Sequence, residues 1–284
     1  MRRWFHILGG LFCVTGVTFV AMRLYGYAGQ IDISVFSFSK CLFLCMLAAA
    51  SGLIDIINAS SWWHLLSFLG VKTDWRWALR VYGIAGLGKY IPGNIFHLAG
   101  RQAMGMAAGL PARPFINSMM WELGLKVVCG VIFGFLVVPL RWPTFSSWSA
   151  LILFLLIVGT LFTVSRRLFS PLIARAFLLQ IVFLGFSGWV FVWVMSLVAS
   201  SSVSWSCFPG LGGAYVLAWL AGLLTPGAPA GVGVRELVLL FLLAGQIAPA
   251  ELLLAVVLGR VVTVFGNLFY FMIATLLLKS GDSG

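Results

Sequence analysis

A chain of 284 residues in which 62% of side chains are hydrophobic and only 9% are charged is too apolar for a soluble domain, where about a quarter of residues carry charge. The formal charge of +11 does not mark a nucleic-acid binder, because the basic residues come in short clusters between apolar runs, as cytoplasmic loops do under the positive-inside rule. Composition therefore predicts a single all-α, polytopic transmembrane domain over residues 1–284 and excludes soluble enzymes and nucleic-acid partners. The five cysteines, Cys13, Cys41, Cys45, Cys129 and Cys207, form no C-x-x-C pair and read as small core hydrophobes.

In chain order, a first span is predicted at about Phe5–Met22, an uncleaved first helix rather than a signal peptide. A second follows at about Cys41–Ile57, with Asp55 near its end. Ala59–Tyr82 interleaves Trp62, Trp63, Trp75 and Trp77 with Lys72, Arg76 and Arg80, which suits a segment at the membrane interface. Gly83–Gly109 is apolar but interrupted at Pro92-Gly93, leaving halves too short to span at roughly 20 residues each. It predicts a re-entrant hairpin of two half-helices. A third span, about Phe115–Leu140, carries Glu122 and Lys126. The fourth and fifth lie at about Trp148–Val164 and Phe177–Val198. Leu211–Ala244 is again broken, at Thr225–Glu236, read T-P-G-A-P-A-G-V-G-V-R-E, and a sixth span at about Leu252–Leu278 carries Arg260 and Asn267.

The second half thus repeats the first. Setting Pro226-Gly227 on Pro92-Gly93 gives an offset of 226 − 92 = 134, and the same offset puts Gly222 on Gly88, Arg235 on Arg101 and Glu236 on Gln102. Three spans per half, an odd number, predict inverted repeats, about 1–140 and 146–279, as in many secondary transporters. Charge agrees. With both termini in the cytoplasm, the inner connectors hold Arg2, Arg3, Lys72, Arg76, Arg80, Arg113, Arg166, Arg167, Arg175 and Lys279, and the outer ones only Arg23, Lys40 and Arg141.

Five cations (Lys89, Arg101, Lys126, Arg235, Arg260) and three carboxylates (Asp55, Glu122, Glu236) lie in or beside apolar segments. A charge at the bilayer centre costs about 2.5–3.5 kcal/mol or more, so surplus cations call for a counter-ion or a wet path. An anionic substrate supplies the counter-ion, and arginine suits phosphate because its planar fork bonds two oxygens at once. Glu122 and Lys126, spaced i,i+4, either neutralise each other or serve that site. Arg235 and Glu236 point about 100° apart on a helix and do not pair simply. Asp55 is either interfacial or functional, Lys89 is able to snorkel, and His97 reads as a satisfied core residue. Catalysis has little to work with. Seven scattered acidic residues and three isolated histidines offer no metal cluster, no nucleophile–base pair and no cofactor motif.

G-K-Y-I-P-G-N at Gly88–Asn94 followed by Gly100-Arg101, and P-G-A-P-A-G-V-G-V-R-E at Pro226–Glu236 followed by Gly259-Arg260, resemble the signature of the lysylphosphatidylglycerol synthase transmembrane region family, the flippase-like domain of the multiple peptide resistance factor. Where family members commonly read P-G-G-x-G, this chain reads Pro226-Gly227-Ala228-Pro229-Ala230-Gly231. The resemblance implies a stand-alone form without the aminoacyl-transferase domain. It also implies transfer of a polar-headed lipid across a bacterial-type cytoplasmic membrane, either an aminoacylated phospholipid or a glycan on a polyprenyl phosphate carrier, beside envelope-biosynthesis enzymes. By motif position it points to Lys89, Pro92, Gly93, Arg101, Pro226, Gly227, Gly231, Gly233, Arg235, Glu236 and Arg260, with Glu122 added from its charge. A non-transporting scaffold for an envelope enzyme is the rival expectation.

Overall fold

The computed structural model describes residues 37–90, 96–142, 144–199, 204–225, 231 and 233–276. The expected first span at Phe5–Met22, the breaks at Pro92-Gly93 and Pro226-Gly227, and both termini lie outside these residues. Every regular element among the described residues is helical. They are α1 (Phe38–Phe68), α2 (Trp75–Gly86) with a 3-10 turn (Leu87–Tyr90), α3 (Phe96–Ala107), α4 (Ala112–Ile132) running into α5 (Gly134–Arg141), α6 (Ser147–Leu168), α7 (Pro171–Ser196), a 3-10 turn (Trp205–Cys207) leading into α8 (Phe208–Leu224), α9 (Val234–Leu242) and α10 (Pro249–Leu276).

Among the described residues six segments are long and apolar enough to cross a membrane: α1, α4 with α5, α6, α7, the turn with α8, and α10. Their outward faces are apolar as well. On α6 the i,i+4 stripe Ala150, Phe154 and Val158 is buried, while Ile152, Leu153, Leu155 and Leu156 face outward. A soluble monomer rarely exposes so large an apolar patch, whereas a lipid-facing helix requires one.

Two expectations need correction. The span expected to stop near Ile57 continues as one helix to Phe68 and takes in the start of the expected segment Ala59–Tyr82. Its polar residues are satisfied inside the bundle: Gln180 Nε2 donates to Asn58 Oδ1 at 3.0 Å and Ser61 Oγ at 3.2 Å, and Ser61 donates to Ala176 O at 3.0 Å. Trp62 is fully buried. The second broken segment is also asymmetric. With its leading turn, α8 covers Trp205–Leu224, 20 residues and long enough to span, because the apolar run starts before Leu211; α9 has only 9 residues.

The core is organised around α1, which packs along α7 on one side and α10 on the other. Small residues permit the close crossing with α10. A Cβ on Gly52 would sit 2.5 Å from Gly266 O, and one on Gly266 would sit 2.8 Å from Ala48 O, the close backbone approach that drives helix association in lipid. Helix starts recur at the expected offset. Adding 134 to 38, 75, 96 and 112 gives 172, 209, 230 and 246, against observed starts of 171, 208, 234 and 249. Contacts recur with them: α1 packs on α10 as α7 packs on α4, and α2 packs on α10 as α8 packs on α4.

Candidate functional site

A cavity of about 200 Å³ lies at the centre of the bundle. α1 presents Ser51, Asp55 and Asn58 to it, spaced so that they share one helix face. α10 presents Arg260, Thr263, Asn267 and Tyr270 at three- to four-residue intervals in the same way. All five cations singled out from the sequence, Lys89, Arg101, Lys126, Arg235 and Arg260, line this one cavity, and Asp55 is the carboxylate on its wall. Glu122 and Glu236 stand behind it, each bonded to a lining cation. The five cations, up to 171 positions apart (260 − 89 = 171), thus meet.

In the first half Glu122 is the hub. It is 2% exposed, as is Arg101. Arg101 Nη1 donates to its Oε2 at 2.7 Å, Tyr82 Oη donates to its Oε1 at 2.8 Å, and Lys126 Nζ, one turn on, bonds the same Oε1. Glu122 and Lys126 therefore do pair, but Arg101 shares the carboxylate, so two cations rest on one anion. The Arg101 guanidinium also lies over the rings of Trp62 and Tyr82, at 5.0 and 4.7 Å from their centroids, where the negative ring faces offset part of its desolvation. Lys89 does not snorkel outward. Its Nζ donates to Asn267 Oδ1 at 2.7 Å.

In the second half Glu236 turns away from its neighbour Arg235. Glu236 Oε1 accepts from Arg260 Nη2 at 2.7 Å, and Oε2 accepts the Gly233 N–H at 2.8 Å. That second bond caps the start of α9, satisfying an N–H that has no partner within the helix. Gly231 and Gly233, two of the four expected helix-break glycines, hold φ of +69° and +86°, values that glycine adopts at no steric cost. Arg235 is packed on bare backbone: a Cβ on Gly222 would meet its Cγ at 3.1 Å and Gly231 Cα at 2.9 Å. Its Nε is buried with no hydrogen-bond partner, and among the described residues it has no ion pair.

The offset of 134 extends to a pair that glycine matching overlooked. Lys126 falls on Arg260 (126 + 134 = 260), so each half contributes two cations at matching positions, Arg101 with Lys126 and Arg235 with Arg260. The carboxylates break the match. Position 256, equivalent to Glu122, is Val256, and the equivalent of Glu236 is Gln102. No sequence signal marks Tyr82 as a carboxylate partner. His97, expected to be a satisfied core residue, instead lines the cavity with its Nδ1 buried and unpartnered.

Comparison with family models, with curated proteins and with solved structures returns no match.

Proposed function

We propose that this is a membrane transporter of the flippase type, which takes the phosphate head of an anionic lipid into the central cavity and passes it across the bilayer. The observation that carries this reading is the convergence of five cations on one cavity with three carboxylates to answer them, Arg235 having no ion pair among the described residues. Buried cations without counter-ions are costly. An incoming phosphate, bonded by Arg235 and by whichever cation its neighbours release, supplies what is missing. Glu122 and Glu236 hold the remaining cations while the site is empty.

The inverted-repeat reading is supported by helix starts that recur at 134 residues and by contacts between the halves that recur in pairs. Rocking of two such halves about a fixed midplane site is how inverted-repeat transporters alternate access. Exposed Lys72, Arg76, Arg113, Arg166, Arg167 and Arg175 lie where α1 and α6 end and α4 and α7 begin, which supports reading that side as cytoplasmic. The motif resemblance to the flippase-like domain of the multiple peptide resistance factor favours a lipid over a soluble anion. The test is transbilayer movement of labelled anionic lipids in vesicles reconstituted with the protein. Movement that is abolished by Arg235→Ala and Arg101→Ala supports the reading, and vesicles in which the protein moves none of the lipids tried leave the scaffold as the better account.

A further inference from the structure

The cavity also constrains the head group, given the reading above that it holds an anionic lipid. With its carboxylates ionised, the charged set sums to 5 − 3 = +2. The two surplus charges are not together. Arg101 and Lys126 share Glu122, which leaves one on the first half, and Arg235 is the other, on the second half, while Arg260 is matched by Glu236 and Lys89 shares the wall with Asp55. A phosphodiester brings one negative charge and would leave one half uncompensated. A phosphate monoester brings about 1.5 to 2 negative charges at neutral pH and three acceptor oxygens, enough to answer both halves at once.

Size points the same way. At about 200 Å³ the cavity is smaller than the roughly 300–1,000 Å³ that holds a drug-sized molecule. A phosphate with a few waters fits. Beside the polar residues named above, part of the wall is apolar, built by Phe183, Val190, Phe191, Trp219, Leu223 and Val264, which suits the first carbons of a hydrocarbon tail. We infer that the substrate is a lipid ending in a bare phosphate monoester, such as a prenyl or diacylglyceryl monophosphate, and that the protein moves the unloaded phosphate end of the lipid rather than a glycan-bearing one.

The experiment is equilibrium binding of an isotopically labelled short-chain prenyl monophosphate to the full chain in detergent micelles at pH 7.5. The competitors are the matched methyl phosphodiester, a sugar-linked prenyl diphosphate, the prenyl alcohol and inorganic phosphate. The monophosphate should outcompete the phosphodiester and the sugar-linked head by at least tenfold, with inorganic phosphate weaker and the alcohol inert. A phosphodiester or sugar-linked head that binds as well as the monophosphate overturns the head-group inference, and inorganic phosphate that binds equally well overturns the lipid source. Arg235→Gln separates this from failure of the anion reading. It should weaken the monophosphate at least tenfold while Arg235→Lys retains binding within a few-fold, and unchanged binding in Arg235→Gln means the site itself is misplaced. The competitor series on the unmodified chain stands even if the glutamine variant does not fold.

Discussion

Arg101 and Arg235, 134 residues apart, are at matching positions in the two halves and differ in one respect: Arg101 donates to Glu122 at 2.7 Å, whereas Arg235 Nε is buried without a partner. The first arginine is held at rest and the second is left to recruit a counter-ion. This difference sets the predictions that follow.

Removing the hub carboxylate should be costly to the fold. Glu122→Gln leaves Arg101 and Lys126 buried with no anion between them, and breaking a buried pair on one side costs about 3–5 kcal/mol. Thermal unfolding in detergent should show a large loss of stability. Replacing all three partners in Arg101→Met/Glu122→Leu/Lys126→Met should recover most of it, since none of the three charges then remains uncompensated. A triple variant no more stable than Glu122→Gln would mean that Glu122 acts through something other than these pairs.

Glycine at 222 is what lets Arg235 lie against the turn at Gly231. In Gly222→Ala the new methyl would stand 2.9 Å from Gly231 Cα and 3.1 Å from Arg235 Cγ, so the arginine must shift. Anion affinity should fall about tenfold, or about 1.4 kcal/mol, and the unfolding temperature should fall with it because the Gly231 backbone must also move, as read by ligand titration alongside a melt. Unaltered affinity would show that Arg235 needs no fixed seat.

The crossing of α1 on α10 tests packing alone. Gly52→Leu places a side chain against the carbonyl of Gly266, already 2.5 Å from the ideal Cβ, and overpacking of this kind costs about 1–3 kcal/mol or more. Gly86, with open space around its Cβ position, is the control: Gly86→Ala should melt near the unmodified chain. Both are read by thermal unfolding in detergent, and equal melting of the two variants would contradict the packing described.

Inverted topology makes a separate prediction. Arg113 and Gln246 are both exposed, and Gln246 is one residue before the position that the offset gives for Arg113, since 113 + 134 = 247. With the native cysteines replaced, Arg113→Cys and Gln246→Cys should label from opposite sides of sealed vesicles. Labelling from one side sinks the inverted repeat.

Much of this was legible in the sequence, for physical reasons that also explain the rest. Apolar runs of membrane length fixed five of the described spans, and the charges stood out because lipid tolerates so few of them. Hydropathy does not say which way a polar residue faces, so Asp55, Asn58 and Ser61 looked like the end of a span when they are the inward stripe of a helix that continues to Phe68. The pairing of Arg260 with Glu236, 24 residues earlier, depends on how α9 leaves its turn. The match of Lys126 to Arg260 escaped because the alignment was built on identical glycines and arginines, and lysine is not identical to arginine. Tyr82 and Asn267 carry no charge and so no sequence signal, yet they complete the bonds of Glu122 and Lys89.

The central claim is that Arg235 holds a lipid phosphate on its way across the bilayer. Its most direct test is the rate of transbilayer movement of a labelled prenyl monophosphate in vesicles containing equal amounts of folded, correctly inserted wild-type, Arg235→Lys or Arg235→Ala protein. Movement by the wild type, most of it kept by lysine and at least a tenfold loss with alanine, is the expected result. Alanine vesicles that move the lipid as fast as wild type would contradict the claim.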